Sequence, residues 1–339
     1  MAKGSLPESH GIAARKLLLL VCLAASLLNP GAGRGEQETL EDVAQLNKKS
    51  TELAAEGNFA EAETLARRIL AIQEKAHGPD HIDLAGALFA IGFLCDKQGH
   101  YAESEPLFKR GLAVYERARG PEHQDVAGAL TWLAVSYDAQ GRYAEADPLL
   151  KRALAIQEKV FGPDSLEAAW GLNNLGLVYE HQHRFEEAKS QFDRARGIFE
   201  KSLGPENAVI ALSLGNLARI YKAEGRNTEA EPLLERALAI REKAVGPNDP
   251  QVATSLDNLA LLYADQGRYA EAERLQERAL AIRERAFGPE HIAVALSVNN
   301  LASLYQHEGH FGEAEALFRR ALAIREKALR PDHPDIVLS

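Results

Sequence analysis

The pair Gly-Pro begins at Gly78, Gly120, Gly162, Gly204, Gly246 and Gly288, each 42 residues after the last, and Arg330-Pro331 falls on the next beat. A fixed spacing of this size leaves a chain little choice. Each interval is one supersecondary unit, too small to bury its own apolar face, so neighbouring units must stack into a solenoid. Within an interval the pattern reads as two helices. The first runs through segments such as LDNLALLYADQG and VNNLASLYQHEG, with apolar residues at three- and four-residue steps. It stops near Gly99, Gly141, Gly225, Gly267 or Gly309, where glycine tolerates a left-handed cap. The second, for example RYAEAERLQERALAIRERAF, closes at the next Gly-Pro because proline cannot continue a helix. Composition agrees: Ala and Leu dominate and aromatic residues are only 6% of the chain, a mixture that loses little freedom in helices.

Small residues mark the helix crossings. One column is Gly92, Ala134, Gly176, Ala218, Ala260 and Ala302; a second is Ala62, Ser104, Ala146, Ala188, Ala230, Ala272 and Ala314; a third is Gly111, Ala153, Ala195, Ala237, Ala279 and Ala321. Such side chains let helix axes approach to the short end of the ~8–10 Å packing range. Between them stand Leu133, Leu175, Leu217, Leu259 and Leu301, then Tyr137, Tyr179, Tyr221, Tyr263 and Tyr305. Cys95 falls in the tyrosine column and reads as a core residue rather than a nucleophile.

These columns resemble the tetratricopeptide repeat: in the last full unit its Leu, small residue, Tyr, turn Gly, aromatic and two Ala are Leu301, Ala302, Tyr305, Gly309, Phe311, Ala314 and Ala321. The family's usual unit is shorter. The 42-residue form with NNLA and EAEPLLERALAI segments is similar to the repeats of kinesin light chains and their bacterial relatives. No heptad run of the kind that joins those proteins to a motor chain is visible, which argues against a motor role. The resemblance implies an all-α, right-handed superhelical solenoid of stacked antiparallel helix pairs whose first helices line a concave face. The expected layout is a signal segment over 1–35, an N-terminal capping pair over 36–77, six repeats over 78–329, and the start of a further unit over 330–339. Lys48 and Lys49 replace the Asn and Leu of later units, as suits a cap facing solvent. His183 stands where other units have a turn Gly, and Asn227 and Gln276 replace apolar residues.

The first residues read differently. Lys3, Arg15 and Lys16 precede the run LLLLVCLAASLL from Leu17 to Leu28, followed by Pro30 and the small residues Gly31, Ala32 and Gly33. A basic start, a 12-residue apolar run and a small-residue site predict a secretory signal cleaved near Gly33, hence a periplasmic or secreted protein. An uncleaved anchor is the alternative, and only then is a membrane a partner. The net charge is -10 with no strongly basic stretch, which disfavours nucleic acid.

No catalytic constellation stands out, because there is no GxSxG, no phosphate loop and no Cys cluster. The expectation is therefore no enzyme, no cofactor and no metal. His81, His123, His291 and His333 recur just after the Gly-Pro turn, in a column that elsewhere holds Ser165, Asn207 and Asp249. Those are preferred N-caps, so His is read as a substitute cap, and one residue per unit is too widely spaced for one ion at ~2 Å bonds. Glu235, Arg236, Arg241 and Glu242 read as a solvated face of a second helix, supported by pairs at three- and four-residue spacing.

Binding is expected at the asparagines. Asn174, Asn216, Asn258 and Asn300 recur one residue before the core Leu, with Asn173 and Asn299 beside two of them. Asn is a poor helix former, so propensity does not explain the column. By resemblance, relatives hold a bound peptide's backbone from this position. An amide offers the donors and acceptor that a peptide group needs. The other reading is a hydrogen bond to a neighbouring helix. The wall should be acidic early, at Asp96, Asp138 and Glu180, and basic around Arg219 and Lys222, favouring a ligand with an acidic residue there. Trp132 and Trp170 serve either as anchors or as core. The function expected is a non-catalytic scaffold that grips an extended peptide or partner protein. The alternative is a self-assembling solenoid stacking through its C-terminal end.

Overall fold

The computed structural model describes residues 34–328, so the expected signal segment up to Gly33, the Cys22 thiol and the last partial unit with His333 lie outside the described residues. Fourteen α-helices and no strand occur among them. They form two compact units divided after Pro163. The first holds α1 (Arg34–Ala55), α2 (Phe59–His77), α3 (Leu84–Lys97), α4 (Tyr101–Arg119), α5 (Gln124–Ala139) and α6 (Tyr143–Phe161). The second holds α7 (Leu166–His181), α8 (Phe185–Leu203), α9 (Ala208–Ala223), α10 (Asn227–Val245), α11 (Pro250–Asp265), α12 (Tyr269–Phe287), α13 (Ile292–Glu308) and α14 (Phe311–Ala328). Inside each unit, each helix packs chiefly on its neighbours in the chain, as expected of stacked hairpins. No helix among the described residues is long and apolar enough to cross a membrane.

The beat in the sequence has a backbone cause. The glycine of each Gly-Pro pair has φ between 83° and 95°, a conformation that side chains disfavour. Its N–H donates to the carbonyl four residues back and closes the second helix. The next helix then starts on a capping side chain. His123 Nδ1 accepts from the Asp125 N–H at 3.2 Å, Ser165 from Ala168 at 3.2 Å, Asn207 from Val209 at 3.0 Å, Asp249 from Gln251 at 2.8 Å, and His291 from Ala293 at 3.1 Å. Each satisfies an orphan N–H of the first turn. His81 is the exception: α3 starts only at Leu84, after a tighter turn through His81, Ile82 and Asp83. At the inner turn, His183 is the one described non-glycine with positive φ, at 59°, where other units place Gly.

The small columns work by exchanging volume. A Cβ on Gly92 would lie 2.6 Å from the Phe108 ring, and one on Gly176 2.6 Å from the Phe192 ring. Where the second-helix column carries Leu150 or Leu234 instead, the partner column carries Ala134 or Ala218, all buried. Tyrosines bridge core and turn: the guanidinium of Arg142 lies 4.1 Å over Tyr137, Arg184 4.1 Å over Tyr179, and Arg268 3.7 Å over Tyr263. Cys95 is fully buried, and burial pushes its thiol up to about 12, as a packing role requires. Lys48 and Lys49 on α1 face solvent.

The charged face of the second helices carries the expected pairs at three- and four-residue spacing, such as Lys109 to Glu105 and Arg319 to Glu315, both at 2.6 Å, and adds pairs between helices. Its most regular pairs join successive second helices: Arg110 to Glu74 and Arg278 to Glu242, both at 2.6 Å. Others tie a second helix to the preceding Gly-Pro loop, as Lys243 does to Glu206 at 2.6 Å. Arg241 was expected on this face but is only 4% exposed and donates to the Gln251 carbonyl at 3.2 Å. One unit later, Arg283 is equally buried. It pairs with Asp257 at 2.6 Å and donates to the Ser297 hydroxyl, joining α12 to α11 and α13. The column tolerates this because it is an inner column, holding Tyr115 and Phe199 in other units.

Candidate functional site

Position along a first helix decides what the solenoid can touch. Helices α7, α9, α11 and α13 carry one stripe of residues at three- and four-residue steps, and each position of the stripe recurs 42 residues later in the next first helix. Trp170, Leu212, Thr254 and Leu296 lead this stripe and are half-buried. The asparagine column follows four residues later, and a further three residues on come Leu177, Arg219, Leu261 and Ser303. Leu261 is 40% exposed in a helix otherwise rich in buried residues.

The asparagines do not form a uniform open ladder. Asn174 is 7% and Asn216 1% exposed, whereas Asn258 and Asn300 are half-buried and accessible. Asn216 donates from Nδ2 to Asn173 Oδ1 at 2.8 Å, linking α9 to α7. Asn173 is 1% exposed, and its own Nδ2 is buried without a hydrogen-bond partner. Asn258 makes the corresponding approach to α9, where Gly215 leaves room: its Nδ2 lies 3.7 Å from where a Gly215 Cβ would be. Asn299 is half-buried, its carbonyl accepting from Ser303 Oγ at 3.0 Å. The neighbouring-helix reading thus describes the Asn173–Asn216 end of the column, and only the Asn258–Asn300 end is open to a ligand.

The expected basic spot is corrected. Arg219 forks onto Glu180, with Nε to Oε1 at 3.0 Å and Nη2 to Oε2 at 2.6 Å, across α9 and α7. Burial works against the guanidinium's charge, but Glu180 outweighs it and holds Arg219 above its ordinary value. Lys222 pairs with Asp265 of α11 at 2.8 Å. Both cations are therefore neutralised by carboxylates of adjacent first helices, and neither waits for an acidic ligand residue. Column arithmetic holds the missed signal: offsets of -39 and +43 place opposite charges on facing helices.

In the first unit the same stripe is built differently. Trp132 takes the asparagine position, is 8% exposed, and meets Phe93 edge-on at 5.6 Å between centroids. Its Nε1 is buried without a hydrogen-bond partner. In the second unit Trp170 packs edge-on against Phe199 at 5.1 Å while staying half-buried. Asp138 is 4% exposed. Asp96 accepts from the Ser136 hydroxyl at 3.1 Å, and burial raises its carboxyl to about 6 despite the opposing hydrogen bonds from Ser104 and Ser136. The early acidity expected of this stripe is thus held in a half-buried, hydrogen-bonded Asp96 and a buried Asp138 rather than in exposed carboxylates.

The tetratricopeptide repeat model matches residues 43–117, 125–201, 167–243, 209–285 and 251–327. The chain is a tetratricopeptide repeat protein. Its units are kinesin-light-chain-like. A crystal structure of a variant of a Podosopora anserina kinesin-light-chain-type protein with nearly identical repeats is 30% identical, with a TM-score of 0.50, over 60% of this chain and 97% of that one. A Rap protein solved with Competence and Sporulation Factor superposes with a TM-score of 0.61 at 15% identity, over 95% of this chain and 94% of that one. NprR solved with its cognate peptide NprX gives 0.60 at 13% identity, over 92% and 85%. At those identities the two likenesses speak for the tetratricopeptide solenoid alone. No curated protein matches the chain.

Proposed function

We propose that this protein is a non-catalytic interaction scaffold, and that the first-helix stripe of the second unit holds an extended peptide segment of a partner protein. The observation that carries the reading is the mixed stripe itself. Leu212, Leu261 and Leu296 alternate along it with the accessible amides of Asn258 and Asn300, and the charges beside them are already paired. Apolar positions can take ligand side chains, while amides can serve a backbone that lacks partners of its own. The NprR solenoid solved with its cognate peptide NprX supports a polypeptide as the kind of ligand this architecture can hold. The ligand segment proposed is therefore apolar and near-neutral, not acidic. The same reading assigns the protein no reaction of its own. Export through the segment before Arg34 is part of this proposal and rests on sequence alone.

A displayed peptide library selected on the full chain tests the reading. Selected peptides should bind the wild type and lose at least tenfold in affinity for Leu261→Glu, whose melting temperature should stay unchanged because the side chain is already exposed. Peptides that bind both proteins equally would place the ligand elsewhere.

A further inference from the structure

Outside the stripe, the scaffold's regularity fails most clearly at the joint between α2 and α3. The cap column reads His81 there, but its Nδ1 lies 3.4 Å from the Asp83 N–H, the longest such contact in the column, and α3 starts late. The His81 ring instead stacks on His77, the last residue of α2, with centroids 4.6 Å apart. Asp83 Oδ2 lies 3.4 Å from His81 Nδ1 and 3.8 Å from His77 Nε2. The ligand atoms of the three residues all fall within 4.8 Å of one another.

We propose that His77, His81 and Asp83 form a binding site for a divalent transition-metal ion of the zinc class. Two imidazoles and one carboxylate suit such an ion, and tetrahedral bonds of ~2.0–2.2 Å put ligand atoms about 3.3–3.5 Å apart. The two separations to Asp83 need only a small closure, and the two rings must tilt out of their stack so that a shared ion lies in the plane of each. The side chains are between 31% and 43% exposed, so closure is unhindered and water can supply the fourth ligand.

Other units show what the position does without a metal. In the next unit the residue equivalent to His77 is Arg119, whose Nε lies 3.7 Å from Asp125, beside the capping His123. That unit provides its own cation against the His–Asp pair. At the joint between α12 and α13, Phe287 stacks on His291 at 4.8 Å and no carboxylate follows. Among the described residues, only the joint with His77 combines two imidazoles and a carboxylate without a lysine or arginine between them. The other cluster of ligand-type residues, Glu63, Cys95 and Glu103, is already occupied by Arg67, which contacts all three. A metal at His77 would tie the end of α2 to the start of α3 across the Gly78–Asp83 loop.

Phe287 also supplies the test, because His77→Phe keeps the ring stacking that another unit already uses and removes one ligand. Titrating the full chain with zinc chloride by calorimetry should give one more bound ion for the wild type than for His77→Phe. Zinc should raise the melting temperature of the wild type only. Asp83→Asn should weaken the same site at least tenfold and gives a second reading should His77→Phe fold poorly. Equal stoichiometry and affinity in wild type and both variants would overturn the site.

Discussion

The two units run the same template and finish it differently. In the first, the stripe along the first helices is closed by Trp132, Phe93, the half-buried carboxyl of Asp96 and the buried carboxyl of Asp138. In the second, amides and ion pairs link neighbouring helices, and Leu261, Asn258 and Asn300 remain within reach of solvent. Apart from the joint between α2 and α3, turns, caps and small columns barely change between them. The shared framework thus lies in the positions that repeat, and the differences between units lie in the positions that do not.

The contrast breaks hardest at the buried ion pair, which only the second unit has among the described residues. Asp257→Ala leaves Arg283 buried without its carboxylate and should cost about 3–5 kcal/mol in urea unfolding. Replacing both partners by leucine and methionine should recover most of that loss. If the single variant costs no more than a surface substitution, the pair is not the second unit's internal brace.

The first unit should respond to pH where the second does not. The Asp96 carboxyl rises from an ordinary 3.8 to about 6 in the folded chain, so the folded state holds its proton more tightly. The stabilisation from that proton is complete below about pH 4 and lost as pH rises through about 6. Asp96→Asn should therefore stabilise the protein at pH 7 by about 1–3 kcal/mol and have little effect at pH 4. Melting curves at the two pH values would show it, and an equal effect at both would remove the buried-carboxyl difference. The smallest effect concerns regularity itself. His183→Gly gives the left-handed turn its usual residue and should stabilise by about 0.5–1 kcal/mol, the T-shaped contact with Phe185 being lost in exchange. A variant less stable than the wild type in the same melting assay would show that the ring contact outweighs the strain.

Much of this was legible in the chain because repetition acts as an internal comparison. The Gly-Pro beat, the cap column, the burial of Cys95 and the crossing columns all follow from aligning the sequence with itself. What escaped was contact between columns. Asn216 reaches Asn173 of the preceding first helix, Arg219 reaches Glu180 and Lys222 reaches Asp265, and each link needs the stacking offset between hairpins, which no single column displays. His77 escaped for a related reason: it is a second-helix residue, separated from His81 by the helix-breaking Gly-Pro, and only the folded turn stacks the two rings. Arg241 was misplaced because charge was read residue by residue, although Tyr115 and Phe199 in the same column already marked it as interior.

The most direct measurement puts an environment-sensitive dye on Ser303→Cys, on the stripe of α13, and in a separate protein on Glu277→Cys, on the exposed side of α12, with Cys22 changed to serine in both and Cys95 protected by its burial. Saturating peptide from the selection should shift the emission of the first dye and leave the second unchanged. A shift at Glu277 with none at Ser303 would mean that the ligand rides the second helices, and the first-helix stripe would not be the binding surface.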